Sequence, residues 1–366
     1  MFEKRKIEPS NDIVNFRKLI AELSLFRTEL MGAAIIMVML CHNTIQFPNS
    51  DLNFIWKSIS SYFQVGVDIF FILSGLGCVF SIQKTLTYRE FMWRRISRII
   101  PTYIIVDGGW CVIQRIIWDT PLMDSIQEYS LITFFTHGIL SEWYIAAILL
   151  LYVLCPFFYK LLKHKRQRYY LLFTVIFIVS IGASFFDLPD TIYVINEIFI
   201  VRIPAFGVGI LLGDYMISRE LQNREWKGPE DKNVYYIVFF LLCITVSLLV
   251  INSSYNSINK WCVMRAFFLP FGLLLSVLLC RIMRYGNIRR NFYLFGGITL
   301  ELYLLHVKIL NVVDSFVQNK MGNGMLTLIT IQILSTLLAV SIALIIQKGC
   351  RTIRRKRLWS KNEIAR

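Results

Sequence analysis

Histidine is scarce in this chain, with four residues among 366, at positions 42, 137, 164 and 306. The eight cysteines are scattered, with no C-x-x-C pair and no zinc spacing, which excludes a disulfide framework and leaves no metal site to expect. They read instead as small buried hydrophobes. No internal repeat is visible, which argues against an inverted-repeat transporter. No connection between apolar runs is long enough to hold a soluble domain. Residues 1–28 are polar, so a cleavable signal peptide is not expected and the first span serves as its own insertion signal. Acidic residues are also few, 24 against 39 Lys and Arg, for a formal net charge of +15. That sign of charge raises nucleic acid as a partner. The distribution excludes it, because the basic residues fall in short segments between apolar runs, as in a polytopic protein.

What the chain has is apolar length. Its composition is 56% hydrophobic, and runs of membrane-spanning length recur from end to end. They predict an all-α, polytopic helical bundle of about ten spans, placed at residues 29–47, 61–83, 98–118, 140–161, 169–187, 194–216, 234–251, 262–283, 291–310 and 325–347. The organisation expected is an N-terminal cytoplasmic segment (1–28), a transmembrane domain (29–347) and a basic cytoplasmic tail (348–366). Loop charge alternates. Lys4, Arg5, Lys6, Lys18 and Arg27 precede the first span; Lys84, Arg89, Arg94, Arg95 and Arg98 follow the second; Arg351, Arg354, Arg355, Lys356 and Arg357 end the chain. The third loop carries Asp119, Asp124 and Glu128 instead. Both termini are therefore expected in the cytoplasm, with the chain in an inner or plasma membrane.

Ionisable residues inside spans are costly, and here they are numerous: His42, Asp68, Asp107, Glu142, Arg202, Arg265, Glu301 and His306. At 1.5 Å per residue, His42 lies about 20 Å beyond the cytoplasmic start of the first span, and Asp68 roughly 10 Å below the outer face. Glu142, Arg202 and His306 also fall towards the outer side. The outer half of the bilayer thus gathers a polar site from different spans. Glu301 and His306 are separated by about 140° round a helix, so at most one faces that site, and His306 is the choice. On the cytoplasmic side, Arg95 and Arg98 share one helical face ahead of Pro101, which suits the first turn of a helix. Paired guanidiniums match phosphate oxygens, although basic loops also serve topology alone.

Four ordered segments carry a family resemblance. They are residues 27–42, a span ending in His42; Val65-Gly66-Val67-Asp68-Ile69-Phe70-Phe71-Ile72-Leu73-Ser74-Gly75; the R-x-x-R-x-x-P stretch at Arg95, Arg98 and Pro101; and Ser141-Glu142-Trp143-Tyr144 opening a span. Weaker echoes lie at Arg202-Ile203-Pro204-Ala205-Phe206 and Glu301-Leu302-Tyr303-Leu304-Leu305-His306. Taken together the chain resembles the acyltransferase family 3 integral-membrane O-acyltransferases. The resemblance implies transfer of an acyl group, usually acetyl, from acetyl-CoA or another acyl-CoA to a hydroxyl of a surface polysaccharide or lipid-linked glycan. The acyl-CoA is a donor substrate, and no permanently bound cofactor is expected.

His42 matches the family's essential histidine, and Arg95 and Arg98 its motif arginines. Met31 stands where many members carry Arg or Lys, and Arg27, one turn earlier, is the substitute. The expected roles are His42 as base or acyl carrier, Asp68 or Glu142 orienting it, Arg27, Arg95 and Arg98 holding the donor, and Arg202, Trp143, Tyr144 and His306 meeting the acceptor. Each has a plainer reading: Asp68 in a packing ion pair with Arg202, Glu142 as a solvated helix-start carboxylate, and Trp143 and Tyr144 in an interfacial aromatic belt. His137 lies in an outer loop and His164 in a basic one. Two rival functions remain at this point, a glycan or amphiphile transporter and an inactive family member for which Met31 is the main argument.

Overall fold

With no water in a bilayer core to satisfy backbone N–H and C=O groups, a crossing segment must close its own hydrogen bonds, and these apolar runs do so as helices. The computed structural model describes residues 16–42, 50–85, 87–183, 185–186, 188–220, 260–321 and 325–364, and no strand occurs among them. The elements are α1 (Phe16–Leu25), α2 (Arg27–Cys41), α3 (Ser50–Tyr62), α4 (Val65–Gln83), α5 (Tyr88–Trp118), α6 (Leu122–Glu128), α7 (Thr133–His137), α8 (Trp143–His164), α9 (Arg166–Ala183) and α10 (Asp190–Ile198). After a 3₁₀ turn at Ile200–Arg202 come α11 (Ile203–Glu220), α12 (Lys260–Ile282), α13 (Gly286–Gly297), α14 (Thr299–Met321) and α15 (Met325–Ile364).

Six helical segments are long and apolar enough to cross a membrane, at Asp51–Gln83, Tyr88–Trp118, Trp143–His164, Asp190–Ile217, Met264–Ile282 and Met325–Cys350. The pair α13 and α14, bent by 76° at Ile298, makes a seventh if taken as one broken span. The expected count of about ten is not reached among the described residues. The span expected at 234–251 lies outside them. The span expected at 29–47 is represented by the 15-residue α2, Arg27–Cys41, and its last part lies outside the described residues. The 18-residue α9 opens with Arg166-Gln167-Arg168, which lowers its hydropathy.

The second expected span is the axis of the bundle: 83% of its apolar window is buried within the protein, against 28% for α5 and 22% for α15. Apolar residues left exposed on those outer helices, such as Ile104, Ile116, Leu334 and Ile345, provide a lipid-facing surface. The most intimate contact is between α4 and α11. There a Cβ on Gly75 would collide with the Phe206 carbonyl, and one on Gly209 with the Ile72 carbonyl. The two backbones touch because each presents a glycine to the other.

The third span departs from expectation. Its helix begins at Tyr88, not near Pro101, because the Thr87 hydroxyl accepts from the Glu90 backbone N–H at 3.2 Å and so caps it. Pro101 is therefore interior, and the basic stretch containing Arg94, Arg95 and Arg98 is helical. The helix runs on through Asp107-Gly108-Gly109 to Trp118.

Candidate active site

The sequence arginines meet in one cleft. Near the start of α2, the Arg27 Nε donates to the Leu73 carbonyl at 3.1 Å; from α5, an Arg95 terminal nitrogen donates to the Gly77 carbonyl at 2.6 Å. Both guanidiniums are therefore anchored on the α4 backbone, one turn apart, with the Gly77 position left open for Arg27. The Arg95 guanidinium also lies over the rings of Phe91 and Tyr152, at 5.6 and 5.1 Å from their centroids. Arg98 completes the set at the exposed rim. The cleft encloses about 690 Å³ of empty space, its open mouth included, and continues inward past Ser74, Tyr144, Tyr152, Thr299 and Tyr303. Its lining holds three arginines and no carboxylate. Such a wall favours a polyanion at the mouth and an uncharged, extended group further in. Met31 lines the same cleft without charge, while Arg27 supplies a guanidinium from one turn below.

His42 sits at the opposite end of α2 from Arg27, across a helix of 15 residues, a separation of about 22 Å. Its ring faces that of His306 on α14, with centroids 5.2 Å apart and planes inclined by 60°. Together they line a second, smaller pocket, about 220 Å³ of empty space with its open side included, with Met39, Leu310, Gln332, Ser335 and Thr336. The His306 Nδ1 lies 3.0 Å from the Leu302 carbonyl and 2.8 Å from that of Tyr303. Carbonyls only accept, so Nδ1 carries the hydrogen and Nε2 is left as an acceptor. That Nε2 is buried and has no hydrogen-bond partner among the described residues. His306, not Glu301, faces His42, although both are buried.

Between the two cavities stands an aromatic wall. The Tyr144 and Tyr303 rings are 5.3 Å apart, the Tyr303 hydroxyl accepts from the Tyr144 backbone N–H at 3.3 Å, and the Tyr303 ring is 6.1 Å from that of His306. Tyr144 lines the arginine cleft; Trp143 turns the other way, against Phe71 and Phe134 and beneath the Arg202 guanidinium at 5.5 Å.

The carboxylates expected to orient His42 are engaged elsewhere. Asp68 pairs with Arg202 at 3.2 Å, both almost fully buried, and Arg202 also donates to the Ile198 carbonyl at 2.8 Å. Beside them Arg265 pairs with Glu197 and donates to Gln64 Oε1 at 3.1 Å. Buried charges at this depth need such partners, and here they pin α4, α10 and α12 together. Glu142, expected to be solvated at a helix start, is buried and bonded to Lys308 at 2.5 Å; Lys308 also pairs with Asp107 at 2.8 Å and lies 4.6 Å above the Tyr129 ring. One lysine thus joins α5, α8 and α14. His137 bonds the neighbouring Thr136 hydroxyl at 2.8 Å on the exposed side. Among the described residues no cluster of His, Cys, Asp or Glu is arranged to hold a metal.

A family model described as an acyltransferase domain matches residues 32–348, most of the chain. The chain belongs to acyltransferase family 3. No curated protein and no solved structure matches it. It is a membrane acyltransferase, built with an arginine cleft at one end of α2 and a histidine pair at the other. Of the residues that tie this acyltransferase together, sequence reasoning missed Lys308, although a lysine two positions beyond His306 in an apolar span was its own signal. It also missed Tyr303, whose aromatic character is unremarkable in a chain with 17 tyrosines.

Proposed function

We propose that this acyltransferase moves an acetyl group from acetyl-CoA to a hydroxyl of a surface or lipid-linked carbohydrate, with His42 as the base. The observation that carries this reading is the carboxylate-free cleft of Arg27, Arg95 and Arg98, placed on the helix whose far end bears His42. The guanidiniums would hold the phosphates of CoA at the cytoplasmic mouth, and the pantetheine arm would run inward past Ser74 and Tyr152. The distance of about 22 Å along α2 is of the order such an extended arm spans. The basic loops support cytoplasmic termini in an inner or plasma membrane.

In this scheme the acceptor oxygen attacks the thioester carbonyl while its proton passes to the unprotonated ring nitrogen of His42. The tetrahedral intermediate collapses by breaking the C–S bond, and the thiolate takes the proton back from His42. The products are the ester and free CoA thiol, with no net proton released. Asp68 and Glu142 act here through the ion pairs that hold α4, α8 and α14 in place, rather than by touching the ring. His306 and the aromatic wall of Tyr144 and Tyr303 lie on the acceptor side of the donor path, while Arg202 and Trp143 pack behind it.

The test is incorporation of radiolabelled acetyl-CoA into native membranes bearing wild type or His42→Ala at matched expression. Label with wild type alone supports the scheme. Equal label in both removes His42 from the chemistry. No label from wild type overturns the acetyl-CoA reading and favours an inactive member or a transporter of the acceptor.

A further inference from the structure

The proposed reaction uses one hydroxyl and one histidine, yet the small pocket presents two. His42 takes the reacting proton, but His306 has no part in that step, and its Nε2 is a buried acceptor that no donor satisfies among the described residues. Leaving a buried acceptor unsatisfied is costly, so its retention calls for a donor that arrives from outside. The tautomer is fixed by the Leu302 and Tyr303 carbonyls on Nδ1, so Nε2 cannot become a donor without gaining a second proton. The wall across the pocket is polar for a membrane interior: Ser335 and Thr336 lie there with Gln332, and the Ser335 hydroxyl donates to the Gln332 carbonyl at 3.1 Å.

We infer that the His42–His306 pocket is the acceptor subsite and takes a diol: the hydroxyl that will be acylated against His42, and a neighbouring hydroxyl donating to His306 Nε2. A single hydroxyl has one hydrogen and cannot serve both rings, so two acceptor nitrogens on rings 5.2 Å apart match two adjacent hydroxyls. The pocket is small, its empty space of about 220 Å³ including the open side, so it meets one hydroxyl-bearing edge of an acceptor at its mouth rather than enclosing a glycan, which makes it a reader of the local diol. A site that expects a hydroxyl rejects the analogue lacking it, because its own polar group is then left unpaired. This inference rests on the acetyl-CoA reading above.

The probes are propane-1,2-diol and propan-1-ol, which differ by one hydroxyl, given with acetyl-CoA to the full-length chain in nanodiscs. CoA thiol release and ester mass are the readouts. Wild type should acetylate the diol with a kcat/KM at least about tenfold above propan-1-ol, the value of one hydrogen bond. His306→Leu should erase that preference, lowering the diol to the level of propan-1-ol while binding acetyl-CoA normally. His306→Gln, which keeps an acceptor oxygen, should restore part of the preference. Thr336→Leu, which fills the pocket from α15 without touching either histidine, should lower both alcohols and again spare acetyl-CoA binding. Equal use of both alcohols by wild type, or an equal loss for both with His306→Leu, overturns the diol assignment. Absence of ester from either alcohol, in protein that labels native membranes, overturns the pocket as acceptor subsite. Absence of label in native membranes overturns the acetyl-CoA reading instead.

Discussion

Lys308→Met should destabilise the protein far more than Glu142→Gln, although the two residues form the same ion pair. Lys308 bonds Glu142 at 2.5 Å and Asp107 at 2.8 Å, and all three side chains are at most 7% exposed. Removing the lysine leaves two carboxylates buried together without a cation, and breaking a buried pair in this way costs about 3–5 kcal/mol. Replacing Glu142 by Gln leaves Lys308 still paired with Asp107 and puts a neutral group of the same shape in the gap. That loss is of the order of one hydrogen bond to a charged group, about 1.5–3 kcal/mol. The triple change Lys308→Met, Asp107→Asn, Glu142→Gln removes every charge and should recover much of what the lysine variant loses. The assay is SDS-titrated unfolding of the full-length protein in mixed micelles, with thermal midpoints from size-exclusion as a check. A Lys308→Met variant as stable as wild type, or one no worse than Glu142→Gln, would refute the reasoning.

Three further predictions follow from geometry. Arg95→Lys should weaken acetyl-CoA binding about tenfold, since an ammonium cannot both reach the Gly77 carbonyl and lie between the Phe91 and Tyr152 rings; filter binding at two salt concentrations measures it, and unchanged affinity counts against the cleft as the donor site. Gly209→Ala should abolish a monodisperse elution profile because the added methyl meets the Ile72 carbonyl, whereas Gly349→Ala, which meets nothing within 4 Å, should elute as wild type. Tyr303→Ala opens the wall between the two cavities and should raise acetyl-CoA hydrolysis in the absence of acceptor several-fold; a rate equal to wild type places the barrier elsewhere.

Much of the site was legible because a membrane makes polar residues conspicuous. Arg27, Arg95 and Arg98 converge as the motif spacing suggested, and His42 and His306 meet as their common depth implied. What depth does not encode is which helices are neighbours. Asp68 shares a level with His42 but meets the 3₁₀ turn at Ile200–Arg202, where Arg202 is its partner. Glu142 sits at a helix start, and α14 covers that start with Lys308, so the solvated reading fails for a tertiary reason. The start of α5 is legible in the capping pattern Thr87-Tyr88-Arg89-Glu90, whereas Pro101, equally suited to a first turn, lies inside the helix. The 15-residue α2 and the polar-ended α9 are the two described helices where expected spans do not meet the length and hydropathy of a full crossing.

The central claim is that donor binding and acyl transfer reside at opposite ends of α2. The most direct test is equilibrium binding of radiolabelled acetyl-CoA to purified His42→Ala and Arg27→Ala/Arg95→Ala proteins, set beside transfer by the same preparations. The account predicts wild-type binding with no transfer for the histidine variant, and loss of both for the arginine variant. Loss of acetyl-CoA binding in His42→Ala, or full binding in the double arginine variant, would contradict it.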